Sequence, residues 1–193
     1  MHRRTQHREA PTLTTDRLRL RAFRLEDFEC NLAITDDEVV HRHLGGPIDR
    51  STKWEKFLRS PTWWQWLGYG MWLVEDRATG IVIGEIGYGE FMRAIDPPLP
   101  DMPEMGWIFA REAHGRGLAG EALAAALAWG DAEMPGPFQC IIAEGNAPSL
   151  RLAARHGFAA VRCAPFRGRA DDPVVILERP PAKLSSEIPT GVR

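Results

Sequence analysis

Only three cysteines occur in 193 residues, Cys30, Cys140 and Cys163, and no two are spaced C-x-x-C. An odd, scattered set makes no disulfide framework, and the thiols are expected to stay reduced, as in a cytoplasmic protein. An excess of one charge is lacking too. Lys and Arg number 24 against 26 Asp and Glu, a formal net charge of -2, so no basic footprint for nucleic acid is present. Long hydrophobic runs are absent, and none approaches the roughly 20 residues of a membrane span. Met1–Ala10 is basic but has no apolar core of the kind a signal peptide needs, and reads as a loose tail. No internal repeat is visible. His41-x-His43 is a poor metal pair, because residues two apart on a helix diverge and no third ligand is near. No metal site is expected.

What is present centres on Glu104–Asp131. Glu104–Phe109 alternates as a strand, with Met105, Trp107 and Phe109 facing one way and Glu104, Gly106 and Ile108 the other. Leu118–Asp131 is rich in Ala and Leu and reads as a helix, with Gly130 placed where a stop belongs. Between them lie Gly115, Gly117 and Gly120. A glycine-rich turn that opens a helix presents unpaired N–H groups and the positive end of the helix dipole, which is a phosphate seat. Arg111 and Arg116 add charge to it.

Two readings compete for this turn. Gly115-Arg-Gly117-Leu-Ala-Gly120 fits the dinucleotide fingerprint G-x-G-x-x-G, and Glu144 after the next apolar run stands about where a ribose-binding carboxylate is wanted. The context disagrees. A long strand-bearing segment precedes the turn, four residues separate strand from glycines, and too little chain follows for the remaining βαβ units. The alternative is carried by His114-Gly115-Arg116-Gly117-Leu118-Ala119, which resembles the acetyl-CoA motif Gln/Arg-x-x-Gly-x-Gly/Ala of the GNAT family of N-acetyltransferases, with His at the first position. The opening Thr-Asp-Arg-Leu-Arg-Leu-Arg resembles the RimJ/RimL-type branch, and Asn146-Ala-Pro-Ser149 with the exit His156-Gly157-Phe158 resembles the family's next helix.

The rest of the chain is read in order. Leu13–Phe23 is a half-buried strand with Leu18, Leu20 and Ala22 inward and Arg17, Arg19 and Arg21 outward. Helices are expected at 25–34, 36–44 and 50–58, then a helix and turn from Pro61 to Trp72 rich in tryptophan. Strands are expected at 71–75 and 81–88 with a hairpin at Gly80, and the proline-rich loop Asp96–Pro103 is expected to be irregular. Phe138–Ala143 reads as a buried central strand, with final strands at 159–164 and 173–177. The boundaries are a tail over 1–10, one domain over 11–179 and a tail over 180–193.

The resemblance implies an α/β (α+β) fold: a mostly antiparallel twisted sheet of six to seven strands flanked by helices, with a splayed parallel pair at its centre. It implies acetyl-CoA as cosubstrate, held by His114, Gly115, Arg116, Gly117, Leu118, Ala119 and Gly120 at the turn, by Ile108 and Phe109 through their backbones, and by Asn146, whose alternative role is only to cap its helix. It implies acetyl transfer to a primary amine, a protein N-terminus or a small molecule, and leaves a homodimer open. Many members use a Tyr after the second motif as the acid for the leaving thiolate. No Tyr follows Tyr88 here, and Ser149 takes that place or serves as a helix-terminal hydroxyl. The base is Glu104, Glu85 or a water chain leading to either. A decayed, acyl-CoA-binding module is the competing class. On the acceptor side, Asp96, Asp101 and Glu104 beside Trp63, Trp64, Trp66 and Trp72 suggest a cationic amine held against an aromatic wall.

Overall fold

The computed structural model describes residues 9–166 and 169–182, with side chains described throughout except at 169–172. The tails expected at 1–10 and 180–193 therefore lie largely outside the described residues. Eight strands form one sheet in the order β1-β2-β3-β4-β5-β6-β8-β7: β1 (Leu13–Thr14), β2 (Leu18–Arg21), β3 (Met71–Asp76), β4 (Val82–Gly89), β5 (Glu104–Phe109), β6 (Phe138–Ala143), β7 (Ala159–Phe166) and β8 (Arg169–Arg179). All neighbours are antiparallel except β5 and β6, which are parallel. That pair is joined over the sheet by α4 (Leu118–Glu133), the crossover helix a parallel connection needs. The other helices are α1 (Phe28–Asp36), α2 (Glu38–His41), α3 (Arg50–Leu67) and α5 (Ala147–Arg155).

Several elements depart from the sequence expectation. The first strand is broken into a hairpin, because the Thr15 hydroxyl accepts the Leu18 N–H at 3.0 Å while Thr15 N–H donates to the Leu18 carbonyl at 2.9 Å. Arg21 does not face water: it is buried, and bonds Asp27 and Glu75. The 36–44 helix is cut to the short α2, capped by Asp37. The third helix does not stop at Leu58 but runs through Pro61, which forgoes one backbone bond, because Phe57, Ser60 and Trp64 all bury on its inner face. It begins at the Asp49 cap and ends at Gly68, φ 77°. The closing strands also extend beyond their expected limits.

Gly130 is not a stop, since α4 continues to Glu133. It lies inside the helix because a Cβ there would stand 2.1 Å from Tyr88 Oη. Tyr88 is fully buried and donates to the Ala126 carbonyl at 3.1 Å. Around it pack Trp72, Trp129 and Phe138, with Trp64 edge-on to Trp72. This core fixes α4 to the sheet and holds α3 to both through Trp64, while other residues of α1 and α3 line the cavity.

Candidate active site

β5 ends at Phe109, and a 3₁₀ turn (Arg111–Ala113) leads to α4. Gly115 and Gly117 hold φ of 72° and 75°, values that residues with a Cβ rarely adopt. Gly117 is the N-cap, and Leu118, Ala119 and Gly120 form the first turn of α4, so their N–H groups have no partner within the helix. A Cβ on Gly115 would meet nothing within 4 Å, so the turn is open above. His114 places Nε2 3.1 Å from the Phe109 carbonyl, tying the turn to the strand end. Arg116 reaches Asp76 at 3.7 Å. Two residues escaped the sequence reading. Arg17 donates to the Arg116 carbonyl at 3.0 Å and to Glu121, and Glu121 also accepts from Thr15 Oγ1. These contacts span about a hundred positions, and no spacing announces them.

Next to the turn the parallel pair opens. β5 and β6 are in register only at Glu104 and Gln139, so beyond that point the facing backbone edges separate. Which groups line the gap follows from ladder parity. Ala110 N–H donates to the Ile83 carbonyl at 2.8 Å, and Phe109 stands opposite Gly84. Opposite pairs alternate between bonded and non-bonded in an antiparallel ladder, so Ile108 is the bonded partner of Glu85. Its N–H faces β4, not the gap. This corrects the expectation for Ile108: Trp107 and Phe109 present their backbone N–H groups to the splay. On the far side, Asn146 Oδ1 accepts the Ser149 N–H at 3.2 Å and caps α5. Ser149 Oγ accepts from Trp107 Nε1 at 3.4 Å.

A cavity of about 390 Å³ runs from this gap toward α1, α2 and α3. Ser149, Asn146, Trp107, Glu85 and Glu104 all line it. Glu104 is buried and gripped by Arg93, whose Nε and Nη2 both donate to it. Burial raises its carboxyl, with Arg93 opposing. Arg93 in turn lies over the rings of Phe91 and Phe166. Glu85 sits in mid-strand opposite Ile108 and accepts from Asn31 Nδ2 at 2.9 Å. His43 also lines the wall, its imidazole shifted down by burial and by nearby Arg42.

The expected acidic, aromatic acceptor wall is not assembled. Asp96 and Asp101 are not among the described lining residues, and of the four tryptophans only Trp63 is. Trp64 and Trp72 are core residues, while Trp66 is exposed. The lining cations were missed: Lys53, Lys56 and Arg59 on α3, with Arg93. Among the described residues no group of His, Cys, Asp and Glu could hold a metal, and no helix is long and apolar enough to cross a membrane.

Known proteins share this fold. Residues 17–159 match the acetyltransferase (GNAT) domain. An uncharacterized protein of Bacillus subtilis, YkkB, is 32% identical over 155 residues, covering 75% of this chain and 83% of its own. A Bordetella pertussis structure described as a GnaT-family acetyltransferase superposes with a TM-score of 0.77 at 31% identity, covering 88% of this chain and 99% of that one. RimL, the ribosomal L7/L12 alpha-N-protein acetyltransferase, solved with coenzyme A, superposes at 0.71 over 88% of this chain and 98% of its own. Its 15% identity makes that a likeness of fold. With the domain match covering most of the chain, and the Bordetella structure superposing over 88% of it at 31% identity, the chain belongs to the GNAT acetyltransferase family.

Proposed function

We propose that residues 11–179 form a catalytic domain that transfers acetyl from acetyl-CoA to a primary amine by direct attack in a ternary complex. The observation that carries this is the continuity of one cavity from the β5–β6 gap to a carboxylate on β4. The turn from His114 to Gly120 would seat the pyrophosphate through backbone donors. The pantetheine arm would enter the gap, meeting the backbone of Trp107 and Phe109 and the Asn146 side chain.

The amine nitrogen attacks the acetyl carbonyl carbon, the oxygen gains charge, and the C–S bond then breaks. Backbone N–H groups at the gap suit the developing oxyanion. The attacking ammonium must first lose a proton, and the departing thiolate must gain one. Ser149, which lines the cavity, would supply the second. Glu85 suits the first better than Glu104, because both Glu104 oxygens are engaged by Arg93 while the contacts of Glu85 with Asn31 and Lys53 both fall on Oε2. The three free cysteines suit a cytoplasmic setting.

The test is acetyl transfer to a panel of amines, followed by release of CoA thiol. Turnover with any amine supports the reading. Tight CoA binding with no turnover on any amine would instead favour an acyl-CoA-binding module, and NAD binding at the turn would favour the dinucleotide alternative.

A further inference from the structure

α3 turns Lys53, Lys56, Phe57, Ser60 and Trp63 toward the cavity. Their spacing of three or four residues is that of one helix face. Lys53 is unusual among them. Its residue is only 4% exposed, yet among the described residues its ammonium makes no hydrogen bond, and Glu85 Oε2 stands 4.0 Å away. Lysine is almost never buried unless paired, and an ammonium has three donors to satisfy. Asn31 on α1, 1% exposed, donates Nδ2 to the same Glu85 oxygen at 2.9 Å, while its Oδ1 is buried with no partner. All three residues line the cavity. One small region thus holds a carboxylate, an under-used ammonium and an unused amide oxygen, supplied by three different elements. Such groups are buried at a cost unless something completes their hydrogen bonds.

The cluster is a paired negative and positive centre, and its complement is a molecule with the same two charges reversed. We propose that Asn31, Lys53 and Glu85 seat an amino-acid-like acceptor, one that carries an anionic group a few bonds from its primary amine, rather than a peptide N-terminus. The amine goes to Glu85 and Asn31 Oδ1, and the anionic group goes to Lys53. A peptide N-terminus offers a neutral carbonyl where this cluster offers an ammonium. Arg59 on the same helix, its guanidinium 5.1 Å over the Trp63 ring, extends the positive side of the cavity. This rests on the reading of the cavity as the acceptor site. Glu85 stands opposite Ile108 on β4, one strand from the gap, and it lines the same cavity as Ser149, so an amine held there shares that cavity with the acetyl group.

The experiment compares each common L-amino acid with its own α-amide, and with short N-terminal peptides, as acetyl acceptors for the full chain. At least one amino acid is expected to exceed its amide and every peptide tenfold or more in kcat/KM. Lys53→Met, which keeps the length of the side chain and removes the charge, should erase that preference by raising KM for the amino acid and leaving KM for acetyl-CoA unchanged. Lys53→Arg should restore part of it. Calorimetric binding of the same pairs to the CoA complex separates this proposal from the transfer reading. Amino-acid binding that discriminates against the amide and depends on Lys53, without turnover, would sink the transfer reading and keep the acceptor class. Peptides or amides preferred over amino acids, or a preference unchanged in Lys53→Met, would overturn the proposal.

Discussion

Trp107 Nε1 donates to Ser149 Oγ across 3.4 Å, and this long hydrogen bond joins β5 to the first turn of α5. The indole N–H can only donate, so the serine oxygen accepts from it and keeps its own proton to give. Ser149 is not the N-cap, since Asn146 fills that role, and its hydroxyl is therefore available to the cavity. Ser149→Ala is expected to lower kcat by roughly 10²–10⁴-fold, the range of general acid–base catalysis, with little change in CoA affinity. Steady-state kinetics beside calorimetric CoA binding checks this. An unchanged kcat would reduce Ser149 to a residue of the α5 first turn.

Gly117→Val places a β-branched side chain at φ 75°, with its Cβ 3.6 Å from Arg17 Nη2. The backbone strain alone is of order 1–3 kcal/mol, and relieving it would turn the N–H groups of the helix N-terminus away from the arrangement that seats a pyrophosphate. CoA binding should weaken tenfold or more, about 1.4 kcal/mol. Titration of CoA into a variant shown to be folded by circular dichroism is the measurement, and wild-type affinity would put the seat elsewhere.

The parts legible in the sequence are those decided locally. The glycine turn at Gly115 and Gly117, the Asn146 cap and the apolar run Phe138–Ala143 each depend on a few adjacent residues. The need for a crossover helix between two parallel strands follows from connection geometry, so the central architecture was legible as well. What was hidden depends on partners far along the chain. Arg21 looked outward by alternation, but Asp27 and Glu75 supply a buried charge pair. Trp107 rather than Ile108 faces the gap because β4 fixes the ladder parity. The tryptophans of α3 had the composition of a binding wall, yet helical phase sends Trp64 to the core, Trp66 to water and Trp63 to the cavity. The Asn31–Lys53–Glu85 cluster draws on α1, α3 and β4, and no motif links them.

Gly130→Ala tests the close approach of α4 to the sheet. Alanine would gain about 1 kcal/mol of helix propensity, yet its Cβ would lie 2.1 Å from Tyr88 Oη and 2.7 Å from Cζ. Tyr88 cannot easily yield, because it is fully buried among Trp72, Trp129 and Phe138. Overpacking of about 1–3 kcal/mol should win, and the variant should melt lower than wild type. In the background of Tyr88→Phe, which lacks the nearest atom, the penalty of Gly130→Ala should shrink. Four melting curves give that coupling, and strictly additive effects would mean that the two residues do not meet.

Arg21 and Asp27 make two parallel hydrogen bonds of 2.8 Å, with both side chains 8% exposed, and Arg21 Nε reaches Glu75 at 2.7 Å. Burial raises the Asp27 carboxyl, but the Arg21 side chain and the Arg24 N–H overcome it and hold the group below its ordinary value. A carboxyl depressed by folding stabilises the protein above its unfolded pKa, near 3.9 for Asp, and that contribution fades as pH falls through the lower folded value. Asp27→Asn keeps the shape and leaves Arg21 with one carboxylate in place of two. Losing one partner of a buried pair costs about 3–5 kcal/mol, and retained hydrogen bonding from the amide and from Glu75 puts this case toward the lower end. The urea midpoint of the variant should therefore fall well short of wild type from about pH 5 upward. Below the ordinary aspartate range the two curves should converge, because wild type then loses the same charge. A gap that stays constant down to the acid end would show that the Asp27 carboxylate is not what holds β2 to the following turn.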